Sequence, residues 1–176
     1  MKIKQASAND FDELKKFYTR MNEVINVRNN HFNPDNAVFP SDDMIKYAIS
    51  RKWQFIGIED ERIVAGCIVT DECEEAYLQV KWNISSKKDE VWILHALRVA
   101  PEYEGRGFAK QMLAYVIELA PKYRRKAIHL DVLEGYWVEH LYKLFGFEYV
   151  DTVDILYDDI GFVQRFKMFE KEIKGD

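Results

Sequence analysis

The stretch from Val91 to Leu113, VWILHALRVAPEYEGRGFAKQML, constrains the fold of this chain more than any other. It reads as a buried strand, a turn marked by Pro101, a glycine-containing loop and then an amphipathic helix. That order sets the backbone N–H groups of Gly105, Arg106, Gly107, Phe108 and Ala109 at a helix N-terminus. Donors in a first helical turn have no intrahelical acceptor, and the helix dipole is positive there, so such a place attracts anions. The sequence therefore points to a phosphate-bearing ligand.

The loop is not a Walker A loop, because the Gly-Lys-Ser/Thr ending is missing. It is not a dinucleotide fingerprint either. Lys110 stands where the third glycine belongs, and the loop comes late in the chain rather than in an opening βαβ unit. On the glycines alone, a plain turn between strand and helix reads equally well.

The rest of the chain supplies a conventional frame. Lys2 to Ala6 reads as a short strand. Ser7 and Asp10 have capping-box spacing, and Phe11, Leu14, Phe17, Tyr18 and Met21 follow at helical spacing. Asn29 to Pro40 reads as a loop, and Ser41 caps a second helix to about Arg51. Trp53 to Ile58, the acidic turn Glu59-Asp60-Glu61 and Ile63 to Thr70 form a β-hairpin, which Ala76 to Trp82 would prolong. After the loop comes a helix from Gly107 to Ala120, stopped by Pro121. A strand at Ile128, Leu130 and Val132, a helix from Tyr136 to Phe145 closed by Gly146, and two strands, Phe147 to Tyr157 and Phe162 to Ile173, complete the chain. The order βααβββαβαββ defines an α/β (α+β) class, a sheet with helices on its faces, in a single domain over residues 1–176.

Bulk properties exclude some partners. The net charge of −5 argues against a general nucleic-acid binder. No apolar run approaches transmembrane length, and Met1-Lys2-Ile3 leads into a mixed segment rather than a signal peptide. Cys67 and Cys73 are too few for a disulfide framework, so a cytoplasmic location is expected. Neither cysteine belongs to a Cys-x-x-Cys pair and the histidines are scattered, although His129 and Asp131 share a strand face. No metal is expected.

Two motifs together carry a family resemblance. Leu97-x-Val99, Pro101, Gly107-x-Ala109 and Met112-Leu113 resemble the acetyl-CoA-binding motif of the GNAT superfamily of N-acetyltransferases. Leu130-Asp131-Val132, followed by Leu141-Tyr142-Lys143-Leu144-Phe145-Gly146-Phe147, resembles that family's later strand–helix–strand motif. The resemblance implies a mixed, mostly antiparallel sheet, flanked by helices, that splays open between the strand at Val91 to Val99 and the strand at Ile128 to Val132. It implies acetyl-CoA as cosubstrate, with pantetheine on the backbone of Leu97 and Val99 and pyrophosphate on Gly105 to Ala109. Two positions depart from the family pattern. Glu104 stands where the family has Gln or Arg, and its carboxylate would repel pyrophosphate unless Arg106 offsets it. Gly135 stands where Asn is frequent.

The resemblance also makes Tyr142 the acid that protonates the departing thiolate. On a helix, Trp137, His140, Leu141, Leu144 and Phe145 form an apolar stripe, and Tyr142 points away from its centre. A boundary tyrosine fits the same position. His95, two residues before Leu97 on the same strand side, is the candidate base, although a lone histidine in a strand is more often a hydrogen-bonded core residue. Glu72, Glu74 and Glu75 read as an attractor for an amine or as a solvated turn. Trp53, Trp82, Trp92 and Trp137 read as core, with Trp92 and Trp137 able to edge a cleft. Tyr157 and Phe162 could shape an acceptor pocket. The expected activity is acetyl transfer from acetyl-CoA to a primary amine, on a small molecule or peptide, by direct attack in a ternary complex. A non-catalytic acyl-CoA sensor and a ligand-free scaffold are the alternatives. Late strands could pair across a homodimer.

Overall fold

A computed structural model describes residues 1–29, 39–157 and 163–174. Its strands are β1 (Lys2–Gln5), β2 (Gln54–Glu59), β3 (Arg62–Thr70), β4 (Val91–Val99), β5 (Ala127–Leu133), β6 (Glu148–Leu156) and β7 (Val163–Glu172). Its helices are α1 (Phe11–Asn29), α2 (Asp42–Ser50), α3 (Glu75–Gln79), α4 (Phe108–Leu119) and α5 (Glu139–Leu144). The strands make one seven-stranded sheet in the order β1-β2-β3-β4-β5-β7-β6. It is mostly antiparallel, with β4 and β5 parallel. The mixed sheet flanked by helices agrees with the sequence expectation. The chain divides into two compact units, Met1–Val69 with Ala96–Met112, and Thr70–His95 with Leu113–Asp176.

The first unit is built on α1. Leu14, Phe17, Tyr18 and Met21 recur at helical spacing and are all buried, in one cluster with Ile45, Ala48, Trp53 and Ile56. Each such side chain contributes about 1.5–3 kcal/mol on full burial. Asp10 accepts from both the N–H and the hydroxyl of Ser7, at 2.8 and 2.7 Å, and so fixes the turn into α1. Ser41 caps α2 through the N–H of Met44. The hairpin turn between β2 and β3 is Asp60-Glu61, with φ of 49° and 60°. Two left-handed residues in a two-residue loop match the twist of the flanking strands. Gly66 is required for packing, because a Cβ there would lie 2.9 Å from the Tyr18 hydroxyl.

The second unit holds its own core of Tyr77, Val80, Val91, Ile93, Ala127, Ile155, Phe166 and Met168. The segment from Ala76 to Trp82 is not a strand: Glu75–Gln79 is helical. Its buried residues, Tyr77 and Val80, are three apart, while Leu78 is exposed, which is helical rather than alternating spacing. The chain then turns back, with the Trp82 indole N–H on the Tyr77 carbonyl at 3.0 Å. Glu170 of β7 secures that turn by accepting from the N–H groups of Asn83, at 2.9 Å, and Ile84, at 3.2 Å. The helix expected from Tyr136 begins only at Glu139, because Gly135 has φ of 86° and Tyr136 closes a turn onto Leu133. Gly146 ends it as expected, with φ of 76°. The junction between the two late strands, residues 158–162, and most of the Asn29 to Pro40 loop lie outside the described residues.

Candidate active site

In the first unit, β4 runs out through Leu97 and Val99 into a tight turn at Pro101–Tyr103 and then the glycine loop. Gly105 and Gly107 have φ of 74° and 77°, a region that costs an L-residue about 1 kcal/mol or more. A Cβ built on either glycine meets nothing within 4 Å. These glycines therefore serve backbone conformation and leave open space above the first turn of α4. The Gln111 N–H returns to the Gly107 carbonyl at 3.0 Å, so the helix winds directly out of the loop. The N–H groups of its first turn are the donors that an anion would take.

Side chains hold this loop from below. The Phe108 ring is buried and stacks on Tyr103, with centroids 5.7 Å apart. The Arg106 guanidinium lies over both rings, at 5.0 and 4.9 Å, and pairs with Glu59 at 3.1 Å. Arg106 is thus positioned as a fixed positive charge of the loop. Glu102 pairs in two-pronged fashion with Arg20 of α1, at 2.7 and 2.6 Å, which ties the turn to the helix. Glu104 is exposed at the end of that turn, where its N–H donates to the Pro101 carbonyl.

Upstream, Ala96 has φ of 51°. A non-glycine residue there is strained, and something must hold it. The buried Tyr18 hydroxyl donates to the Ala96 carbonyl, a long contact of 3.4 Å, and accepts from Gln54 at 3.1 Å. Burial raises the Tyr18 phenol well above its usual value, so it stays a donor. Strict strand alternation does not carry across a left-handed residue, so it cannot set His95 and Leu97 on one side of the strand.

His95 and Tyr142 both belong to the second unit. His95 is half-buried, with its Nε2 3.5 Å from the Thr70 hydroxyl oxygen. That hydroxyl gives its only hydrogen to the Glu72 carbonyl, at 2.6 Å, so the ring must be the donor in the longer contact. This places the proton on Nε2 and the lone pair on Nδ1. Burial lowers the imidazole below its ordinary value, opposed by the Asp131 charge, so the ring is neutral at neutral pH.

Tyr142 corrects the sequence expectation about α5. It is the buried residue of that helix, 8% exposed, with its ring edge-on to Phe147 at 5.7 Å. Trp137 and Leu144, from the expected apolar stripe, are 75% and 58% exposed. The helix is only six residues long, too short for a stripe to define its buried face. Trp137 is therefore no core residue, whereas Trp92 is buried against Tyr123. Glu72, Glu74 and Glu75 are exposed, as a solvated turn requires. Phe162 lies outside the described residues.

Two clusters in this unit were not legible as sites in the sequence. Asp131 accepts on one oxygen, Oδ1, from both Tyr77 and Tyr157, the latter at 3.0 Å. His129 stacks on Trp82, with centroids 3.6 Å apart, and its Nε2 lies 3.0 Å from the buried carboxylate of Glu170. Burial pushes His129 down to about 3, so it donates as a neutral ring. The only available signal was the shared β5 face of His129 and Asp131, because their hydrogen-bond partners lie 26 to 54 positions away. Among the described residues, no three His, Cys, Asp or Glu side chains converge on a metal position. No described helix is long and apolar enough to cross a membrane.

The mixed sheet flanked by helices defines an α+β protein in which a glycine loop opens onto a helix N-terminus. The match to the model of the acetyltransferase (GNAT) family spans residues 21–147, more than half of the chain, and the chain belongs to that family. An acetyltransferase of the GNAT family from Streptococcus agalactiae superposes with a TM-score of 0.76 at 20% identity, over 99% of this chain and 96% of that one. One from Listeria monocytogenes gives 0.74 at 16% identity, over 97% and 94%. A ribosomal-protein-alanine N-acetyltransferase from Brucella melitensis gives 0.71 at 15% identity, over 98% and 99%. At these identities the likeness is one of fold. No curated protein matches the sequence.

Proposed function

We propose that this chain is an acetyl-CoA-dependent N-acetyltransferase acting on a primary amine in the cytoplasm, within a single acetyltransferase domain. The observation that carries the reading is the pair of left-handed glycines with open space above them, at the start of α4. Backbone donors of Gly105 to Ala109 would take the pyrophosphate, with the fixed charge of Arg106 beside them and that of Glu104 opposing. Leu97 and Val99 would offer strand backbone to the pantetheine arm, and backbone near Val99 would polarise the thioester carbonyl.

The chemistry is direct transfer. His95 Nδ1 takes a proton from the ammonium and passes it to water. The free amine attacks the thioester carbonyl, a C–N bond forms and the C–S bond breaks. Tyr142 gives its proton to the leaving thiolate and recovers one from the nitrogen as the amide forms. Cys67 is buried, and burial pushes its thiol up to about 12, so it is no acyl carrier. The test is release of free CoA thiol, followed with a thiol-reactive dye across a panel of primary amines. Amine-dependent, sustained release supports the reading. Binding of acetyl-CoA without amine-dependent release would make the chain a sensor instead. Cys73 is half-exposed, but its reaction with the dye ends after one equivalent.

A further inference from the structure

The first unit holds a half-buried cation with no matching anion among the described residues. Arg98 lies on β4 between Leu97 and Val99. Its Nη1 donates to the Leu97 carbonyl at 3.0 Å, and among the described residues that is its one hydrogen bond. Its Nε is buried without a partner. Arg20, Arg106 and Arg165 each pair with a carboxylate, whereas Arg98 pairs with none among those residues. Acids outnumber bases in this chain, 30 to 25, so the missing partner is not a matter of supply. Two other buried atoms lack partners, Gln54 Oε1 and Arg125 Nε. Both are milder cases. Gln54 is uncharged, and Arg125 sets its charge against Asp71 and donates to the Asp89 carbonyl.

A guanidinium taken partly out of water is costly unless an anion answers it. What is already spent fixes the edge at which an anion can do so. Nη1 is tied to the Leu97 carbonyl, so the free edge carries Nε and Nη2. Nε is enclosed and Nη2 is not, so that edge opens at Nη2. Its two parallel N–H bonds match the two oxygens of a carboxylate. Location decides whose carboxylate it is. The left-handed Ala96 resets strand alternation, and Arg98 lies near enough to the buried Tyr18 of α1 for its charge to act on the phenol. The guanidinium thus stands beside the backbone of Leu97 and Val99, which is offered to the pantetheine arm. The pyrophosphate donors begin only at Gly105. An anion on Arg98 belongs at the thioester end of the site, where the acceptor nitrogen must arrive.

We propose that Arg98 binds a carboxylate of the acceptor: the substrate is a primary amine that carries a carboxylate a few bonds from its nitrogen, as a small amino acid does. The inference rests on the acetyl-transfer reading and adds the acceptor's second charge. Arg98 sets specificity and moves no proton.

The test sets glycine, β-alanine and 4-aminobutyrate each against its own amide as acceptors. For at least one pair, kcat/KM for the acid should exceed that for the amide by about thirtyfold or more, as expected for a desolvated charge pair. Arg98→Gln keeps a donor for the Leu97 carbonyl and removes the charge. It should bring that acid down to the level of its amide, mainly through KM, and leave the amides and the affinity for acetyl-CoA unchanged. Arg98→Lys, with the charge but without paired N–H bonds, should keep a few-fold preference for the acid. Calorimetry on the parent protein loaded with CoA needs neither variant nor turnover: the N-acetylated acid should bind more tightly than its N-acetylated amide. Amides favoured in every pair, equal losses for acid and amide in Arg98→Gln, a loss confined to acetyl-CoA affinity, or equal binding of the two acetylated products would each overturn the assignment. A parent protein that acetylates no amine at all would overturn the acetyl-transfer reading along with it. That result is distinct from the failures above, in which amines are still acetylated.

Discussion

The two units differ in how far their buried polar groups are spent on backbone. In the first, Gln54 donates to the Tyr18 hydroxyl at 3.1 Å, and the pair otherwise spends its hydrogen bonds on backbone. Gln54 donates to the carbonyls of Phe55, at 3.0 Å, and Cys67, at 2.9 Å, and Tyr18 reaches the Ala96 carbonyl. In the second, buried polar groups meet one another, as Tyr77 and Tyr157 meet Asp131 and His129 meets Glu170. The first unit therefore presents shaped backbone, suited to an anion that any N–H can bind. The second presents titratable side chains, suited to moving protons.

That contrast can be broken most sharply at Gly107. Gly107→Asp forces an L-residue to φ of 77° and brings a negative charge to the pyrophosphate position. Titration calorimetry should show acetyl-CoA affinity falling by more than about a hundredfold, with the circular dichroism spectrum unchanged. Unchanged affinity would show that the backbone of this loop is not the anion site.

The second unit should respond in rate rather than affinity. Tyr142→Phe should lower the single-turnover rate of acetyl transfer by about a hundredfold, with little effect on the KM for acetyl-CoA, because the proton is needed only as the thioester breaks. A rate near that of the parent protein would leave the thiolate to another acid.

The two predictions also separate what the sequence made legible from what it hid. The loop was readable because its requirement is local. Gly105 and Gly107 sit two residues apart, before an amphipathic run, and glycine at a left-handed position is a backbone demand written in one letter. The cores of α1 and β3 were readable for the same reason. The burial of Tyr142 was not, because a six-residue helix takes its orientation from the Gly135 turn and the Phe147 contact, not from its own periodicity. Asp131 was visible as a face partner of His129 but not as a meeting point. Its phenols come from positions 54 residues before and 26 after, and only the sheet brings them together. Tyr77 was further hidden because Ala76 to Trp82 reads as a prolongation of the sheet, whereas Glu75–Gln79 is helical.

A pH titration sharpens the contrast at a smaller scale. His129 is held down at about 3 by burial, against roughly 6.5 in the unfolded chain. The unfolded state then takes the proton first. Stability is full above about pH 6.5 and falls as the pH drops from there toward about 3, by roughly 1–2 kcal/mol near pH 5. Urea unfolding midpoints across that window should show the slope, and His129→Gln should flatten it. A midpoint that is constant through the window in the parent protein would mean that this ring is not buried in its neutral form.

Smaller effects belong to the first unit. Glu104→Gln should tighten acetyl-CoA by a few-fold at low salt, and the gain should shrink as salt screens the exposed carboxylate. Weaker binding would assign Glu104 a supporting role in the turn. Glu61→Gly, at φ of 60° in the hairpin turn, should raise stability by about 0.5–1 kcal/mol in urea unfolding without touching acetyl-CoA affinity. A loss of stability would show that the Glu61 side chain contributes more than its backbone strain costs.

The central claim is that backbone N–H groups, rather than a cluster of basic side chains, hold the cosubstrate. Amide hydrogen exchange with and without acetyl-CoA tests it directly. Saturating acetyl-CoA should slow exchange at Gly105 to Ala109 more than anywhere else in the first unit. Saturation that leaves those five amides exchanging as in the free protein would contradict the account.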